Sequence, residues 1–122
     1  MTVDRILADT NVLIYLIGGD GRATKALQGL NVYVSFVTEI ELMSQRTLKE
    51  DDLDDIEHLL SGLWINDVNP NIKMIAAKLR REHGLKLADA IIAATALHLD
   101  IPLLTADNGF DRLDKLVKVR KL

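Results

Sequence analysis

The chain has 122 residues and 48% hydrophobic content, enough for one folded domain over residues 1–122 and too apolar for a disordered chain. No apolar run approaches the ~18 residues of a membrane span, no basic segment followed by a long apolar stretch marks a secretion signal, and the absence of cysteine excludes a disulfide frame and thiolate chemistry, so a cytoplasmic protein is expected. The net charge of −3 argues against a nucleic-acid partner until its distribution along the chain is considered.

Arg5–Ala8 reads as a first strand, a short apolar run of the kind found in buried parallel sheets. Asp9 follows it, and Thr10 or Asn11 is placed to cap a helix to Ile17. Arg22–Gln28 is a short helix stopped by Gly29. The β-branched and aromatic run Val32–Val37 is a second strand, and Thr38 opens a helix to about Arg46. A further helix spans about Asp51–Leu60, and Leu63–Ile65 makes a third strand. Asn69 and Pro70 start a long helix to His83, which Gly84 ends. Leu87–Leu99 is an apolar helix rich in Ala, Ile and Leu. Ile101–Leu104 is a fourth strand, Ala106–Leu113 a turn with a short helix, and Val117–Val119 an edge strand. Strands alternating with helices predict a parallel sheet covered on both faces, with the loops after the strands gathered at one edge, where ligands bind.

Charge is unevenly spread. Glu50, Asp51, Asp52, Asp54, Asp55 and Glu57 concentrate acid in one helix, and the remaining chain is net positive. Bases collect in Lys73–Lys86 and from Arg112 onward. They read either as solvated helix faces or as phosphate contacts.

Four acids fall where the ligand edge is expected. Asp9, past the first strand, reads as a helix cap or a ligand. Glu41 has the spacing of a capping box with Thr38, and it also lies one turn past the second strand; Glu39 points elsewhere on that helix. Asp89 is the most informative, because Leu85, Ile92, Ala93 and Ala96 share its stripe and an unpaired carboxylate among them is costly. Asp107, in Thr105-Ala106-Asp107-Asn108-Gly109, follows the fourth strand and also suits a turn, with Asp111 in reserve beside Arg112. Gathered carboxylates must bind protons or a cation, and an oxygen-only donor set suits Mg²⁺ or Mn²⁺, which activate water for phosphodiester hydrolysis. His58, His83 and His98 are scattered and form no ligand motif.

Leu7-Ala8-Asp9-Thr10-Asn11-Val12-Leu13-Ile14, Ser35-Phe36-Val37-Thr38-Glu39-Ile40-Glu41-Leu42, Leu87-Ala88-Asp89-Ala90-Ile91-Ile92-Ala93-Ala94-Thr95-Ala96 and Leu104-Thr105-Ala106-Asp107-Asn108-Gly109-Phe110 occur in this order. In these segments the chain resembles the PIN-domain ribonucleases, in particular the VapC-type toxins of toxin–antitoxin pairs. The resemblance implies a PIN-like three-layer α/β/α sandwich with a central, mainly parallel four- or five-stranded sheet. It implies a Mg²⁺ (or Mn²⁺) site of Asp9, Glu41, Asp89 and Asp107 that cleaves RNA, supported by Asn11 and Thr105. It further implies a homodimer, a cognate antitoxin and structured RNA substrates such as transfer RNA. Met43-Ser44-Gln45 and Gly109 depart from the family's usual residues.

Two other classes are weighed. A receiver-like signalling domain would accept a phosphoryl group on Asp67 with Thr105 nearby, but it wants paired acids after the first strand and gives Asp89 no role. A catalytically silent module would bind RNA or protein through the same fold without cutting.

Overall fold

The computed structural model describes residues 4–122. Five strands, β1 (Arg5–Ala8), β2 (Asn31–Ser35), β3 (Trp64–Asn66), β4 (Leu103–Thr105) and β5 (Val119–Lys121), form one sheet of order β3-β2-β1-β4-β5, and every pairing is parallel. The expected three-layer α/β/α sandwich is the observed architecture, with the sheet at its five-stranded limit.

Side-chain alternation along β1 splits the core in two. Ile6 and Ala8 face α1 (Thr10–Ile17), α2 (Gly21–Leu27), α3 (Phe36–Met43) and α4 (Glu50–Ser61), where they pack with Val12, Leu13, Leu27, Leu42 and Ile56. Leu7 faces the other layer, α5 (Pro70–His83), α6 (Leu87–Leu99) and the 3₁₀ helix Asn108–Leu113, with Ile72, Leu79, Ile92 and Phe110. The chain thus builds β1, β2 and β3 outward under one layer of helices, then returns under the other to lay β4 against the free side of β1. The switch point lies between β1 and β4, the place where an open α/β sheet binds its ligand.

The helix ends follow the sequence closely where caps are strong. Asn69 Oδ1 accepts from the Ile72 N–H, Pro70 stands at the first helical position, and Gly84 ends α5 at φ 65°, a left-handed conformation that a Cβ would strain. α6 occupies the expected Leu87–Leu99, with Ala90, Ala93, Ala94 and Ala96 buried, small enough to bring it close to α5 and the sheet.

Other boundaries move, each for a local reason. The helix after β2 begins at Phe36 rather than Thr38, because the Ser35 hydroxyl accepts from the Val37 N–H and turns the chain two residues early. Glu41 therefore sits inside α3 and forms no capping box with Thr38. α1 is capped by Asp9, not by Thr10 or Asn11, since Asp9 Oδ1 accepts from the Thr10 N–H. β3 and β4 start one and two residues later than expected. β5 shifts from Val117–Val119 to Val119–Lys121, because Val117 is drawn into the core and the ladder with β4 begins beyond it. Asp67 follows β3, at the sheet edge and two strands from β1, so Asp9 cannot serve it as the paired acid of a receiver. All six acids of the Glu50–Glu57 segment are exposed.

Candidate active site

Asp9 is the centre of the candidate site. Strand β1 ends against β2 and β4, leaving the Asp9 side chain at the switch point with 5% exposure. Both its oxygens are held: Oδ1 accepts from the Thr10 N–H at 2.8 Å and Oδ2 from the Thr105 hydroxyl at 2.8 Å. Thr105 is the last residue of β4, so this second bond ties the two strands across the switch point. The Thr105 oxygen in turn accepts from the Asp107 N–H at 2.9 Å, and Asp107 Oδ1 accepts from the Gly109 N–H to cap the 3₁₀ helix.

On the other side, Thr10 Oγ1 lies 2.7 Å from Glu41 Oε1 and 3.0 Å from Thr38 Oγ1. A hydroxyl has one proton. The shorter contact to a carboxylate takes it, and Thr38 donates to Thr10. One run of hydrogen bonds therefore connects Asp107, Thr105, Asp9, Thr10 and Glu41. Among the described residues no buried side-chain oxygen or nitrogen lacks a partner.

Asp89 joins from the first turn of α6. It is half-buried at the rim of its apolar stripe, not enclosed by it as the sequence implies. Burial pushes its carboxyl above the ordinary range, and the charges of Asp107 and Glu41 push it further, while Lys86 and Arg112 draw it back. Asp9 is also raised, first by burial and then by the charges of Asp89 and Asp107, against the hydrogen bonds from Thr105 and Thr10. Asp9, Asp89 and Asp107 thus lie within electrostatic reach of one another, and Glu41 within reach of Asp89. Asn11 is exposed on α1 and makes no hydrogen bond to them among the described residues. Asp111 is directed away and ion-pairs with Lys121 at 2.9 Å. His98 contacts the side chains of Asn69 and Asn71, apart from the acids.

The sequence does not single out Thr10, Thr38, Lys86 and Arg112 for the site. Thr10 and Thr38 are polar positions beside candidate acids. Lys86 has a usable signal, because it stands at the N-cap of α6, where a short side chain that caps is expected, and makes no cap bond there. Arg112 comes near Asp89 only through the fold.

The donor set fits a hard divalent cation. Every donor is oxygen, and Lys86 and Arg112 are the bases whose charges reach Asp89. Among the described residues no three acids or histidines are grouped as ligands of a single ion. An oxygen-only donor set is the kind that Mg²⁺ takes, with several waters kept and one or two carboxylates bound directly.

The PIN domain model matches residues 6–116. The chain is similar to a chain of a toxin–antitoxin complex from Klebsiella pneumoniae, with 31% identity, a TM-score of 0.82, and 94% of this chain and 95% of that one covered. It is similar to a chain of VapBC-1 from nontypeable Haemophilus influenzae at 27% identity and TM-score 0.74, covering 96% and 97% of the two chains. In DNA-bound VapBC from Salmonella typhimurium a chain shares the fold at TM-score 0.81 and 19% identity, with 98% of each chain covered. Comparison with curated protein sequences gave no match. The match over residues 6–116, on a sheet that carries its acids at the switch point, places the chain in the PIN domain family.

Proposed function

We propose that this PIN domain is a Mg²⁺- or Mn²⁺-dependent endoribonuclease, the VapC-type toxin of a toxin–antitoxin pair, acting on structured RNA such as transfer RNA. The observation that carries the reading is the gathering of Asp9, Glu41, Asp89 and Asp107 near the switch point of the sheet. A bound divalent ion supplies an activated water and a counter-charge for the leaving oxygen. Asp9, Asp89 and Glu41 would hold the ion, and Asp107 would complete the site or help a second ion or the attacking water. Thr105 and Thr10 keep the Asp9 carboxylate in one orientation, and Asn11 stands at the solvent side of the same turn.

Lys86 and Arg112 face this edge, are exposed, and form no ion pair among the described residues. They suit the phosphates that flank the cut. Replacing Arg112 by Ala is expected to raise KM for RNA about tenfold, with a smaller change in kcat, as steady-state cleavage of a labelled RNA would read. A loss confined to kcat would contradict that role.

Two apolar surfaces support the expected partners. A trough between α1 and α4 is lined by Ile14, Ile17, Leu48 and Ile56 and rimmed by Asp52 and Asp55, a surface for a basic amphipathic segment of an antitoxin. An apolar groove between α5 and α6, lined by Val68, Ile72, Ala76, Leu87 and Ile91, supports self-association as a homodimer.

The direct test incubates the purified chain with folded RNA. Cleavage with Mg²⁺ or Mn²⁺ that stops in excess chelator is expected, and cleavage that persists in chelator would overturn the metal mechanism.

A further inference from the structure

Lys121 ends β5, in register with Thr105 of β4. Its Nζ lies 2.7 Å from the Asp107 carbonyl oxygen, 2.8 Å from Asn108 Oδ1 and 2.9 Å from Asp111 Oδ1. An ammonium has three N–H donors, and here each has an acceptor. All three acceptors belong to the turn and 3₁₀ helix that follow β4. The ion pair with Asp111 neutralises the lysine, so it is engaged with this loop and not with a passing phosphate.

The loop needs such a tie. Asp107 is exposed, whereas Asp9 is enclosed. The Asp107 N–H is held by Thr105 and its carboxylate is steadied by the Gly109 N–H. Its carbonyl is the remaining backbone group, and Lys121 takes it. The next residue reinforces the anchor, since the Leu122 N–H donates to the Thr105 carbonyl at 2.9 Å. With both peptide groups fixed, the Asp107 carboxylate has little freedom beyond rotation about its own side-chain bonds.

We propose that Lys121 is the positioning residue for Asp107, holding its peptide from β5 so that its carboxylate is presented to the cation of the acidic site. The proposal rests on the reading of that site as a metal site. It assigns the last strand of the sheet a part in the chemistry, although no side chain of β5 belongs to the acidic cluster.

The test reads Mn²⁺ affinity without RNA, by electron paramagnetic resonance titration of free Mn²⁺. Lys121→Met, which keeps the apolar stem and loses the donors, is expected to weaken Mn²⁺ binding about tenfold, the scale for removing an outer-shell partner of a metal ligand. Lys121→Arg, which keeps charge and donors, is expected to recover most of that loss. Asp111→Asn removes the ion pair and leaves the bond to Asp107, so it should leave Mn²⁺ affinity within about twofold of wild type. In an Asp107→Asn background, Lys121→Met should cost nothing further. Unchanged affinity in Lys121→Met overturns the proposal, as does a full loss reproduced by Asp111→Asn or an equal loss in the Asp107→Asn background. Wild type that binds no Mn²⁺ overturns the metal site and this proposal together. Mn²⁺ binding without RNA cleavage overturns the nuclease reading alone.

Discussion

Asp9→Asn is expected to reduce RNA cleavage by about 10³-fold, the scale for removing one preorganised electrostatic contact in an active site, and to leave the fold intact. The fold survives because Asn keeps an oxygen for the Thr10 N–H, the bond that caps α1. The other position changes character. Asp9 Oδ2 accepts from the Thr105 hydroxyl, and an amide nitrogen there is a donor. Thr105 must turn its proton away, which disturbs the same oxygen that holds the Asp107 N–H. One substitution thus removes a charge from the centre of the site and loosens the acid on its far side. Single-turnover cleavage with circular dichroism on the same sample separates the chemistry from the fold. Activity within tenfold of wild type would remove Asp9 from the central position it holds here.

The prominence of Asp9 is legible in the sequence, and so is the reason for it. A short apolar strand ending in an acid, followed at once by a helix, puts a carboxylate at the ligand edge of a parallel sheet. Asp89 is legible from its apolar neighbours Leu85, Ile92, Ala93 and Ala96, because an ionised group on such a stripe demands a partner. What the pattern does not carry is the division of labour within a turn. Thr10 is the more obvious cap, yet Asp9 caps and also stands in the site, while Thr10 spends its hydroxyl on Glu41. These alternatives differ by a shift of one or two residues in the helix start and leave the same sequence signature. Glu41 and Thr38 show the same limit, since their spacing is that of a capping box and only the Ser35 hydroxyl, two residues ahead of the expected start, decides otherwise. Contacts between distant segments are legible only where a strand end announces them. Arg112 approaches Asp89 from the 3₁₀ helix, and Lys121 reaches Asp107 because β4 and β5 are adjacent in the sheet; neither residue carries a periodicity or cap that announces it.

The crowding of acids makes stability depend on pH and on metal in a direction opposite to that of an ion-paired surface. Burial raises the Asp9 and Asp89 carboxyls above their unfolded values. The folded chain therefore holds protons that the unfolded chain has released. Without divalent ions, these two groups contribute stability that is fully present below the ordinary carboxylate range, near pH 4, and is lost as the pH rises through their raised folded values. Asp89→Asn removes one of the charges at a half-exposed position, where solvent screens much of the effect. In metal-free buffer at pH 7 this variant is expected to melt about 2 °C above wild type, and the difference should vanish near pH 4, where both carry a neutral group. Mn²⁺ reverses the order. At about a hundred times its dissociation constant, a ligand of the folded state adds ~2.7 kcal/mol, which in a domain of this size raises the wild-type melting temperature by about 10 °C. Asp89→Asn should lose most of that gain. Differential scanning calorimetry of both proteins at pH 4 and 7, in chelator and in Mn²⁺, reads all four combinations. An equal Mn²⁺ shift in the two proteins would remove Asp89 from the cation, and a metal-free variant less stable than wild type at pH 7 would show that the acids hold one another in place by something other than a shared ion.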